Sequence, residues 1–162
     1  MDDQDAEFLE KHADELTRFA TAVVGPSEAP DVVSEAFLHC VASRRWPTLS
    51  DRRAYLYRAV LNEALATHRS LTRRRQRDRH AILAERVSDD APNYEVLDAV
   101  ARLSVRQRAV VILTYWQDLV PASVAALLGI SEGAVRRHLA RARAHLKEYL
   151  VCCQVEALIF PG

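Results

Sequence analysis

The chain has 162 residues, 49% of them hydrophobic, and 22 basic side chains balance 22 acidic ones to a formal net charge of zero. That is apolar material for one domain or two small ones, and few glycines and prolines with little strand-like alternation predict an all-α fold. No apolar run reaches the roughly 18 residues of a membrane span, and the acidic, polar start is no signal peptide, so the expected location is cytoplasmic, with the three cysteines reduced.

The charge is unevenly spread. Residues 1–37 hold ten acids against Lys11 and Arg18, whereas residues 44–86 hold twelve arginines against Asp51, Glu63, Asp78 and Glu85. This asymmetry predicts an acidic partner-facing end and a nucleic-acid-facing middle. Basic residues are almost all arginine, which favours bidentate phosphate and base contacts.

In chain order, residues 4–24 predict an amphipathic helix with Phe8, Leu9, Leu16, Phe19, Ala20 and Val23 at core spacing, stopped by Gly25-Pro26. A second helix runs from Pro30 to Ser43, turning Val32, Val33, Ala36, Phe37 and Cys40 inward. Arg44-Arg45-Trp46-Pro47 reads as a loop, because proline disfavours helix in the residue before it. Ser50 is the expected cap of a long helix with an apolar stripe of Ala54, Leu56 or Tyr57, Val60, Leu61, Ala64 and Leu65, ending in an arginine cluster. The pattern is lost over 77–94, and the polar Ser88–Asn93 stretch predicts a linker. A helix over 95–103 follows. Ser104 and Gln107 have the spacing of a capping box opening a helix to about Gln117.

Pro121 to Lys147 predicts two helices joined by a tight turn. Pro121 suits a starting position, Gly129 suits a left-handed helix end, and Ser131 suits the next N-cap, with Glu132 in the first turn. Val135, Leu139, Ala142 and Leu146 share one face. Gly133, Arg137, Ala140, Arg141 and Ala144 lie near the opposite face, flanked by Arg136 and Arg143. A helical hairpin with a solvated basic face shares this periodicity. The order of glycine turn, serine cap, small residues and paired arginines favours a DNA-binding helix-turn-helix. The candidate duplex contacts are Ser131, Glu132, Gly133, Arg136, Arg137, Arg141 and Arg143.

With these pieces placed, the chain resembles an extracytoplasmic-function (ECF) sigma factor of the sigma-70 family. Asp31-Val32-Val33-Ser34-Glu35-Ala36-Phe37-Leu38 is similar to the region 2 signature. Tyr115-Trp116-Gln117-Asp118-Leu119 through Leu146 is similar to region 4. Ala54-Tyr55-Leu56-Tyr57-Arg58 and Asn62 also fit, although Leu61 stands where the family commonly has arginine, and Leu119 to Ile130 lacks the family's usual acids. The resemblance implies a region 2 domain over 1–80, a linker over 81–94, a region 4 domain over 95–150 and an unmatched apolar tail over 151–162. It implies that Asp31, Ser34, Glu35 and Leu38 bind core RNA polymerase, with contacts to its β′ and β subunits. It implies that Trp46, Arg52, Arg53, Tyr55, Arg58, Asn62, Arg73 and Arg74 bind the promoter −10 element, and that the helix-turn-helix reads the −35 element. Trp46, Tyr55 and Tyr57 are each either a base-stacking surface or core. Many members are held by an anti-sigma protein, a further partner to expect.

No phosphate loop, nucleophile elbow or metalloprotease motif is present, so neither enzyme activity nor a cofactor is expected. His138 and His145 lack a third ligand for zinc. Cys152-Cys153 lack the Cys-x-x-Cys spacing, and Cys40 reads as a small buried residue. The alternative function is a stand-alone helix-turn-helix regulator acting without polymerase.

Overall fold

The computed structural model describes residues 3–77 and 94–159, with side chains over 5–73 and 98–149. Among these residues every regular element is helical. The segment expected to be the linker lies outside the described residues.

Helix α1 spans Asp3–Val24 and buries Leu16, Phe19, Ala20 and Val23. It ends at Gly25, whose φ of 100° is open to glycine at little cost. Helix α2, Ala29–Ala42, starts with Pro30 in its first turn and buries Val32, Ala36, Phe37 and Cys40. A single 3-10 turn over Trp46–Thr48 leads to α3, Arg52–Arg77. The cap of α3 is Asp51 and not the expected Ser50: the Asp51 carboxylate accepts from the Ala54 backbone N–H at 2.8 Å. Both residues are competent caps, and the chain bends one residue later than the pattern suggests.

Helix α4 covers Tyr94–Ala101 and α5 covers Val105–Tyr115. The capping box at α5 is formed in both directions, with the Ser104 hydroxyl accepting from the Gln107 N–H and the Gln107 side chain accepting from the Ser104 N–H. Helix α6, Pro121–Leu128, ends at Gly129 in the left-handed conformation with φ 66°. Helix α7 runs unbroken from Glu132 to Ile159. The apolar tail therefore begins as more of the same helix; its side chains lie outside the described residues. The Tyr149 hydroxyl donates to the Asp98 carboxylate, pinning α7 to α4.

Helices α1–α3 make up the N-terminal part of the described chain and α4–α7 the C-terminal part, and the two parts pack on each other. Helix α1 lies against α5, and α3 lies against both α5 and α6, so one continuous apolar core runs through both. Two polar contacts cross the junction. The Arg108 guanidinium, half-buried, donates to the Val23 carbonyl at the C-terminal end of α1, where a helix carries unsatisfied carbonyls and partial negative charge. The Tyr57 hydroxyl hydrogen-bonds the Gln117 side chain.

Candidate nucleic-acid interface

The helix-turn-helix forms from local rules. Pro121 needs no hydrogen-bond partner at the start of α6, Gly129 supplies the left-handed stop, and the Ser131 hydroxyl accepts from the Ala134 N–H at 3.1 Å to cap α7. Val135 and Ala142 are fully buried, Leu139 is nearly so, and all three hold α7 against α5 and α6. This fixes the opposite face of α7 outward. Ser131, Glu132, Gly133, Arg136, Arg137, Arg141 and Arg143 are all exposed.

The arginines on that face are not equivalent. Arg136 is paired with Glu132 one turn earlier. Arg143 donates to the Tyr115 hydroxyl at 2.8 Å and stacks near its ring, so it is directed towards α5. Arg137 and Arg141, one turn apart, make no hydrogen bond or ion pair among the described residues. Nothing lies within 4 Å of where a Gly133 side chain would stand, so this glycine is not demanded by the fold and leaves room for close approach by a partner. His138 is held below its ordinary value by burial and by the charges of Arg106, Arg141 and Arg137.

A second exposed surface lies on α2. Asp31, Ser34 and Glu35 are exposed, and Leu38 is 59% exposed with no apolar reason to be. Two carboxylates beside one large apolar side chain suit a basic partner with a hydrophobic pocket.

The residues expected at the −10 element fare differently. Trp46 is 1% exposed, packs edge-on to Phe8 and donates its indole N–H to Asp5 at 2.7 Å. The expectation that it presents a stacking surface is corrected here: α1 covers the ring and Asp5 satisfies its polar edge. Tyr57 is likewise core, its ring against Phe19 and its hydroxyl on Glu15 at 2.6 Å. Arg52 lies over the Trp46 ring and reaches Asp5, and Arg53 is paired with Glu15. Tyr55 and Arg58 are half-buried neighbours, and Asn62 and Arg73 are exposed. The Arg74 side chain lies outside the described residues.

Sequence reasoning missed Glu15. Burial pushes its carboxyl up, but hydrogen bonds from Arg53, Tyr57 and His12 outweigh this and hold it at about 2. It reads as one more acid in a solvated run, and only the fold brings its three donors together. Exposed Val120, past the end of α5, was also not singled out, and Trp116 entered only as part of the region 4 match. No group of acids, histidines and cysteines among the described residues could hold a metal ion, and no helix there is long and apolar enough to cross a membrane.

Residues 94–146 match the family described as sigma-70, region 4. Over 160 residues the chain is 32% identical to the RNA polymerase sigma-E factor of Streptomyces coelicolor, covering 93% of this chain and 88% of that protein. It is 29% identical over 144 residues to the ECF RNA polymerase sigma factor SigC of Mycobacterium tuberculosis, covering 84% and 77%. Among solved structures, the fold is similar to the sigma factor RpoE in complex with the anti-sigma factor NepR from Bartonella quintana, with a TM-score of 0.67 and 23% identity over 90% of this chain and 95% of that one.

Proposed function

We propose that this chain, which belongs to the sigma-70 family as an extracytoplasmic-function sigma factor, joins core RNA polymerase and directs promoter-specific transcription initiation. One observation carries the reading: the relationship to a sigma-E factor extends over 93% of the chain and so includes both blocks, not the helix-turn-helix alone. A duplex-only regulator would need the second block without the first.

In this reading Asp31, Ser34, Glu35 and Leu38 dock on a basic surface of the polymerase β′ subunit. Arg137 and Arg141 read the −35 duplex beside Gly133, with Ser131, Glu132, Arg136 and Arg143 framing the site. Free guanidiniums on the outer face of a capped helix support base-edge contact. Tyr55, Arg58, Asn62, Arg73 and Arg74 meet the −10 strand, while Arg52 and Arg53 support that face through α1. Trp46 then acts by shaping the loop and not by stacking. The chain works in the cytoplasm and supplies recognition, leaving bond formation to the polymerase. An anti-sigma protein is the class of inhibitor that would hold it.

Run-off transcription from a pooled promoter library tests this. Core polymerase plus the chain should yield transcripts that core alone does not. A chain that binds duplex DNA but adds no transcript is a stand-alone regulator.

A further inference from the structure

The N-terminal and C-terminal parts do not fill all the space where they meet. A cavity of about 260 Å³ lies between α3, α5 and the α6–α7 turn. Its floor is Leu61, Val110 and Leu128, all buried and all aliphatic. Its polar groups are Arg58, Asn62 and Arg106, and no acid is among its lining residues. Two guanidiniums on one cavity without a counter-ion repel each other, and a bound anion removes that cost.

Both arginines are poised for such a guest. The Arg58 Nε–H donates to the Ala54 carbonyl at 3.1 Å, and its guanidinium lies 6.0 Å from the centre of the Tyr55 ring. Gly129 packs over its stem: a Cβ there would stand 2.7 Å from the arginine Cδ. The side chain is thus held on two sides, while its terminal nitrogens make no hydrogen bond among the described residues. Fixing the guanidinium fork beforehand lowers the entropy cost of gripping a carboxylate. Arg106 is exposed in the first turn of α5, where a positive charge opposes the helix dipole. It makes no hydrogen bond or ion pair among the described residues. The fold gains nothing from a cation at that position, and an anionic ligand does.

We propose that this cavity binds a small aliphatic carboxylate, its charged end held by Arg58 and Arg106 with Asn62 donating alongside, and its hydrocarbon body lying on Leu61, Val110 and Leu128. The lining decides the class. It has no aromatic ring to stack a base and no acid to accept from sugar hydroxyls, which argues against a nucleotide. A bare phosphate or a nucleic-acid strand would leave the aliphatic floor unused. An engineered apolar cavity of about 150 Å³ holds benzene. By that scale 260 Å³ suits a guest of about ten non-hydrogen atoms. Arg106, Val110 and Leu128 have no part in the proposed DNA contacts, so the site is separate from that reading and needs neither polymerase nor promoter.

The test titrates octanoate into the full chain at pH 7 and follows backbone amide shifts by NMR, with 1-octanol as the uncharged comparison and acetate as the one without a body. Expected is saturable binding that moves the amides of Leu61, Asn62, Gly129 and Ile130, with 1-octanol and acetate each weaker by about tenfold or more. Arg106→Gln should weaken octanoate about tenfold and leave 1-octanol unchanged, a split that a merely structural arginine would not produce. Leu65→Phe, which intrudes on the cavity, should weaken octanoate and 1-octanol alike, and it carries the test if circular dichroism shows Arg106→Gln to be unfolded. No saturable shift at those amides overturns the proposal. So does 1-octanol or acetate binding as tightly as octanoate, or a folded variant of either kind that keeps the full affinity.

Discussion

Glu15→Gln should destabilise the chain in a way that depends on pH. The carboxylate accepts from Arg53, Tyr57 and His12, joining α1 to α3. A carboxyl held at about 2 against an ordinary 4.5 contributes up to about 3 kcal/mol at neutral pH. Water around a side chain that is 29% exposed screens this to about 1–2 kcal/mol. Glutamine keeps one acceptor oxygen but loses the charge that Arg53 faces. For a chain of this length the melting temperature should fall by about 3–6 °C at pH 7. Because the folded-state value lies below the ordinary one, the unfolded chain takes up the proton first as pH falls. The stabilisation is complete above about 4.5 and drains away towards about 2. Thermal melts followed by circular dichroism at pH 7, 5 and 3 should show the gap between the two proteins narrowing at the lowest pH. A constant gap would mean that shape and not charge matters at this site. No gap at pH 7 would refute the hub altogether.

Three further outcomes are expected. Arg137→Ala should lose about 1–3 kcal/mol on a duplex site selected from a random library, and less on scrambled duplex; an equal loss on both would make it a phosphate contact. Reversal of Asp31 and Glu35 to arginine should abolish co-purification with core polymerase while helicity and duplex binding persist, and undiminished co-purification would remove α2 from the docking surface. Ser104→Ala should cost about 1 kcal/mol by opening the capping box, lowering the melting temperature by roughly 2–4 °C; a melt that does not move would mean that solvent replaces the cap.

What was legible in the sequence is what short-range rules decide. The capping box at Ser104, the left-handed Gly129 and the Ser131 cap each depend on a few consecutive residues, and all three stand as expected. The position of the α3 cap was one residue off because Ser50 and Asp51 differ only in the backbone bend around them. Trp46 was open between core and stacking because its partner, Asp5, lies 41 residues away. The junction between the blocks left one trace. The apolar stripe of α3, from Leu56 and Tyr57 through Val60 and Leu61 to Leu65, is wider than packing on α1 and α2 requires. Its excess width is the footprint of α6, which nothing local could identify.

The length of α7 has a consequence of its own. Its 28 residues make a rod about 42 Å long, with the α6–α7 turn at one end and the apolar segment at the other. That separation is several times the roughly 12 Å width of a major groove. A partner at the far end would stand clear of a duplex lying on the α6–α7 turn, so the two ends could be occupied independently. A hold on the far end can still turn the near end, because a continuous helix transmits rotation along its axis and a hinge would absorb it. The contact between Tyr149 and Asp98, well along its length, ties that part of the rod to α4.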